Sequence, residues 1–213
     1  MFDLLLQGML DTLIMTAFSS LFALLFGLPL GIFLFITSAD SILPLPKTHK
    51  VLSTLVNIIR SFPFIILIVV LLPLSKFIIG TSIGVGAAIV SLSIAAIPFV
   101  AKLFEGALSE IDKGLIEAVL SMGGSKWIVV KMIVCETLPS LIHAFIIAVI
   151  SIIGYSAMAG ALGAGGLGDI AIRVGFQSSQ PDILLCTVLI IIAIVQAIQS
   201  IGDWIVYKIR KNR

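Results

Sequence analysis

Five long runs of this chain, residues 12 to 39, 61 to 75, 77 to 101, 137 to 168 and 183 to 202, contain no Asp, Glu, Lys or Arg. Few features constrain a fold more. A helix of ~20 apolar residues matches the hydrocarbon thickness of a bilayer, and inside lipid every backbone amide and carbonyl must be paired within the protein. With 60% of its residues apolar and 11% charged, the chain lies outside the range of a soluble globular domain. Its 213 residues leave no room for a soluble domain beside five spans. The expected fold is an all-α integral membrane protein with five transmembrane helices. It forms a single domain over 1–213, with spans at about 12–38, 51–74, 83–103, 140–158 and 182–205 and a long loop at 105–139.

Sidedness follows from the bases. Lys47, Lys50, Lys102, Lys113, Lys126, Lys131, Lys208, Arg210, Lys211 and Arg213 fall on one side, and only Lys76 and Arg173 on the other. The positive-inside rule then places the amino terminus outside and the carboxyl terminus in the cytoplasm. Arg60 lies at the inner end of the second span, where it can snorkel towards Glu136, Asp203 or lipid phosphate. No base precedes Lys47, so the first apolar segment lacks the basic region of a cleavable leader and is expected to stay in the protein. Cys135 and Cys186 fall near opposite faces and are expected to be packing thiols.

Breakers subdivide the spans. Gly27-Leu28-Pro29-Leu30-Gly31 is expected to loosen or kink the first, and Pro63 to break the helix after Phe62. Gly84, Gly86, Ala87, Ala88, Ala95 and Ala96 permit close helix contact in the third. A Gly-rich segment follows the fourth, up to Gln180.

The same residues exclude whole classes of activity. Proton relays and many ion-coupled carriers place carboxylates inside the membrane, and these runs have none. Their one histidine, His143, is expected to be a satisfied packing residue. Gly123-Gly124-Ser125-Lys126-Trp127 lacks the spacing of a phosphate loop and the residue required after its lysine. Gly163-Ala164-Gly165-Gly166-Leu167-Gly168 fits Gly-x-Gly-x-x-Gly, but follows a membrane helix and has no strand to support it. Its glycines are expected to let the backbone turn, or approach a partner, at the mouth of a pore. No His-Glu-x-x-His, Gly-x-Ser-x-Gly or Cys/His cluster is present, and the bases form no nucleic-acid face. A chain of this kind that moves a solute uphill must draw its energy from outside its spans.

The loop at 105–139 carries the densest charge. Asp112 can cap a helix running to Gly123, whose Leu115, Ile116, Val119 and Met122 recur at three- and four-residue spacings. Leaving such side chains in water forgoes roughly 1.5 to 3 kcal/mol each. Glu110, Asp112 and Glu117 against Lys113 make the stretch net negative, unlike helices that lie on anionic lipid. A protein socket is therefore the expected cover, with lipid or the chain itself as alternatives. At the outer end of the fourth span Met158 is suited to a flexible constriction or to packing, and Tyr155, Ser156 and Ser91 are candidate polar liners of a path.

Glu117-Ala118, Gly123 six residues after the Glu, Ile133 and Leu138-Pro139 resemble the Glu-Ala-Ala loop of importer-type ATP-binding-cassette permeases. Val119 stands at its third position, and Cys135 where relatives place proline before the next Glu. Residues 57–67, from Asn57 through Arg60-Ser61-Phe62-Pro63, and 154–168, from Gly154-Tyr155 to Gly168, look like the permease subunit of the methionine importers. The resemblance implies a type I ABC importer permease fold, with five helices per chain, in the bacterial inner membrane. It implies as partners a second copy of the chain, two cytoplasmic ABC ATPase subunits and an extracytoplasmic substrate-binding lipoprotein. The solute would be methionine, and ATP and Mg would sit on the ATPase with no cofactor in this chain, which is no enzyme. The helix would couple the two subunits: Leu115, Ile116, Val119 and Met122 by apolar contact, Glu117 by a polar or ionic one unless it is simply solvated, and Ala118 and Gly123 by close approach. Another amino acid or small polar solute, an ion-coupled secondary carrier or channel, and a membrane scaffold or assembly factor are the competing readings.

Overall fold

The computed structural model describes residues 2–38 and 41–211. Its helices are α1 (Phe2–Thr37), α2 (Pro46–Ser61), α3 (Phe64–Ile79), α4 (Val85–Leu108), α5 (Lys113–Ser121), α6 (Lys126–Glu136), α7 (Leu138–Ala159), α8 (Gly166–Asp169) and α9 (Pro181–Lys211), with π-helical stretches at Gly160–Ala164 and Ile170–Gln177. Among the described residues four helices are individually long and apolar enough to cross a membrane: α1, α4, α7 with its continuation to Ala164, and α9. The bent pair α2–α3 supplies a fifth crossing if it counts as one span.

The core lies where α1, α4 and α7 meet, with α6 beneath them. Ala23, Ala96, Val100, Phe104, Ile133, Ala148 and Ile152 are buried together there. Small residues set the spacing. A Cβ on Gly27 would lie 2.9 Å from Val100 Cγ1, and one on Gly31 only 2.7 Å from the Ala101 carbonyl oxygen. The Gly27–Gly31 run thus lets α4 press against α1, and α1 continues as one helix through Pro29.

The second span, expected at 51–74 with its helix broken after Phe62, is a pair of helices, α2 and α3, bent by 103° relative to each other. Pro63 explains the corner. Proline cannot donate a backbone hydrogen bond, and it holds the preceding residue extended; Phe62 has ψ 132° and turns its N–H back to the Ile59 carbonyl. Beyond the corner, Ile66 and Leu67 donate to the Pro63 carbonyl and start α3 afresh. In α2 only Val56 is fully buried, packed with Leu34 and Ala101.

The Gly-rich segment after α7 is folded, not loose. Gly163, Gly165 and Gly166 take positive φ, a region that other residues enter only with strain. Gly168 lies against the Ala157 backbone, where a Cβ would overlap it. This brings Leu167 into the interior, fully buried, with its N–H donating to the Thr12 hydroxyl at 2.9 Å. Thr12 in turn donates to the Gly8 carbonyl at 2.9 Å. On the following π-helical stretch Arg173 pairs with Asp169 at 2.8 Å, and that hydrogen bond, then the charge, raises the guanidinium above its ordinary pKa. The glycines therefore turn and approach within the chain itself. α9 buries only Thr187, Gly202 and Val206, and presents most of its length outward.

Candidate functional site

α5 is built as its sequence suggests and oriented in a way the sequence does not reveal. The Asp112 carboxylate accepts the Gly114 N–H at 2.8 Å and starts the helix. Two glycines close it: the Gly124 N–H bonds to the Val119 carbonyl and the Gly123 N–H to that of Leu120, both at 3.0 Å, a Schellman pair. Gly123 has φ 80° with open space around it, whereas a Cβ on Gly124 would lie 2.8 Å from the Val119 carbonyl oxygen. Within the chain Gly124 is the crowded glycine, and Gly123 leaves open space at the end of α5.

The apolar positions of α5 divide between two faces. Ile116 and Val119 pack against the core cluster, alongside Ile111. Leu115, Leu120 and Met122 point away from it, Met122 with 79% of its surface exposed. Glu117 and Ala118 are exposed as well, and no residue of α5 is fully buried. The four-residue stripe read from the sequence is thus half anchor and half open surface.

Neighbouring elements hold this helix in place. α6, absent from the sequence reading, starts at Ser125, whose hydroxyl accepts the Ile128 N–H at 3.4 Å, and drives Val129 and Ile133 into the core. The Ser125 cap is a signal that could have found it. The Ser140 hydroxyl at the start of α7 donates to Glu110 at 2.6 Å, tying the front of the loop to its end. Lys102 and Glu105 pair at 2.7 Å beside a cavity of about 380 Å³ between the loop and the ends of α1 and α4.

The candidate path residues separate. Met158 is half exposed on α7, just before the π-helical turn. Tyr155 stacks on Phe64 of α3, centroids 3.9 Å apart, and meets Phe99 of α4 edge-on at 6.2 Å. The buried Ser156 hydroxyl donates to the Ile153 carbonyl at 2.8 Å, and Ser91 is hydrogen-bonded to Ser75 at 2.8 Å in the interior. His143 is exposed on α7, not the packed histidine expected. Arg60 is exposed at the end of α2, and Asp203, one of its expected partners, accepts from Gln199 on α9 at 3.1 Å. Among the described residues no three His, Cys, Asp or Glu side chains converge as a metal site would need.

An all-α membrane bundle with a short capped helix projecting from one end is the architecture to compare. Residues 27–212 match the family described as the binding-protein-dependent transport system inner membrane component. The chain belongs to that family. Relatives of this inner membrane component include the probable D-methionine transport system permease protein MetI of Haemophilus influenzae, 45% identical over 93% of this chain and 94% of that protein. The methionine import system permease protein MetP of Bacillus subtilis is 44% identical over 84% of this chain and 81% of its own length. A solved structure described as inward facing conformations of the MetNI methionine ABC transporter superposes with a TM-score of 0.95. It covers 98% of this chain and 97% of its own at 43% identity. The fold of this inner membrane component is that of a type I importer permease.

Proposed function

We propose that the chain is the translocation subunit of an ATP-driven importer for methionine, in the D- or L-form. It works as two copies, with two cytoplasmic ATPase subunits and an extracytoplasmic binding lipoprotein. ATP and Mg²⁺ belong to the ATPase; this chain contributes the path and the lever. The names of its relatives support the solute and the partners.

The observation that carries the reading is the division of α5. Leu115, Leu120 and Met122 form an uncovered apolar surface, with Glu117 beside them, while Ile116 and Val119 fix the same helix to the core. An ATPase that grips the outer face moves α5 as a rigid piece, and the inner face passes the displacement to α4 and α7. A flexible loop would absorb it. Met158 and Tyr155 at the other end of α7 are then placed to narrow or widen a path between the two copies.

Replacing Leu115 and Met122 together by Asp tests this. Both side chains point away from the core, so the variant is expected to fold and insert. ATPase co-purification and ATP-dependent methionine uptake should fall on the order of tenfold or more, as for loss of central apolar anchors. Uptake at the normal rate by this variant sinks the proposal.

A further inference from the structure

The corner between α2 and α3 makes a second candidate site, which the coupling reading does not use. α3 has 16 residues, about 24 Å of helix, less than the ~30 Å thickness of the hydrocarbon core. α3 alone is therefore too short to cross it, and the corner where it begins falls at the edge of the uncharged run 61 to 75. A cavity of about 200 Å³ opens there, lined by Arg60 and Phe62 from the corner, Phe64 from α3, Phe99 from α4 and Tyr155 from α7.

Its chemistry is specific. Arg60 carries a fixed positive charge at the edge of the uncharged runs, and among the described residues it makes no ion pair or hydrogen bond. A charge so placed is costly and calls for an anionic partner. A guanidinium presents paired donors that match a carboxylate. α3 also begins at this corner, and the positive end of its dipole favours an anion there. The opposite wall is aromatic, with Tyr155 stacked on Phe64 and Phe99 edge-on. Ring faces attract an ammonium group, and ring edges a polarisable thioether.

We propose that this cavity is an intramembrane way-station for a zwitterionic amino acid with an apolar side chain, its carboxylate held by Arg60 and the rest of the molecule laid against Phe64, Phe99 and Tyr155. The proposal rests on the transport reading above and adds a binding step within the membrane subunit itself. Because the cavity is walled by four helices, including both arms of the corner, a shift of α4 or α7 changes its shape. Release is thereby linked to the movement that α5 transmits.

The test uses the assembly of this chain with its ATPase in lipid nanodiscs, without binding protein or nucleotide, and measures equilibrium binding of radiolabelled L-methionine. Saturable binding is expected. Arg60→Gln should weaken it ~10-fold or more, the loss of a charged hydrogen bond, with Arg60→Lys intermediate. 3-(Methylthio)propylamine, which lacks the carboxylate, should fail to compete. Size-exclusion elution of the Arg60→Gln assembly at the wild-type position excludes misfolding as the cause. No saturable binding, or equal affinity in Arg60→Gln as expected of an arginine that meets only lipid phosphate, overturns the proposal. The transport reading is judged separately, by ATP-dependent uptake in the complete system: normal uptake without nanodisc binding removes only the way-station.

Discussion

At Gly123, φ is 80° and nothing lies within 4 Å of an added Cβ, so alanine there costs only backbone strain, about 1–2 kcal/mol. Gly124 is the reverse case. Its φ is ordinary, but a Cβ would lie 2.6 Å from Val119 Cγ1 and 2.8 Å from the Val119 carbonyl oxygen, and a backbone atom cannot step aside cheaply. Hydrogen exchange over residues 113–121 should therefore rise in both Gly123→Ala and Gly124→Ala, and more in the second. Equal exchange in the two variants would contradict the assigned roles. From the sequence, Gly-Gly reads as a helix stop and no more. Which glycine is crowded depends on where Val119 turns, and that is decided by the core it packs against. Ser91 and Ser156 teach the same lesson, since a hydroxyl's partner is set by the turn behind it or the helix beside it. Tyr155 was legible as a candidate; its stacking on Phe64 depends on a corner that brings two distant segments together.

That corner belongs to the scale of elements. Pro63 announces a break in the sequence, yet the break gives no direction, and the 103° turn comes from α2 seating Val56 between α1 and α4 while α3 packs further along the bundle. Pro63→Ala restores a backbone donor and removes the restriction on Phe62. Spin labels at Lys47 and Phe77, the exposed far ends of the two arms, should move apart or show a broadened distance distribution in this variant. An unchanged narrow distribution would mean that packing alone holds the angle. α5 was legible because a cap, a period and a stop coincide within one short stretch. α6 was missed because apolar residues occur on all its sides, so periodicity is silent. The stretch from Gly160 to Gln177 was missed because glycines that suggest a loop here permit close packing, with Gly168 against Ala157 and Gly166 against Thr12 and Met15.

For the whole molecule the uncharged runs were enough to read an all-α membrane bundle, since lipid admits few other solutions to the pairing of backbone groups. They were poorer at lengths: α1 begins at Phe2 and α9 ends at Lys211, because helices continue past the hydrocarbon wherever their ends can meet water or protein. Orientation rests on the bases, and it makes a direct prediction. With Cys135 and Cys186 replaced by Ser, a cysteine at position 2 should react with a membrane-impermeant maleimide from outside intact cells, and one at position 210 only after permeabilisation. The reverse pattern would put α5 on the wrong side for any cytoplasmic ATPase. One bond bears on how such a molecule comes into being. The Thr12 hydroxyl, near the start of the chain, is the acceptor for an amide at position 167. Until position 167 has been made, Thr12 in the first half of α1 lacks this donor, and that half is held against α4, through Met15 beside Leu92 and the Ser19 hydroxyl on the Ile89 carbonyl. The bond that closes this end of α1 is thus supplied from the last third of the chain, and a nascent chain stalled before that point holds α1 by its other contacts, with the Thr12 hydroxyl still without its amide.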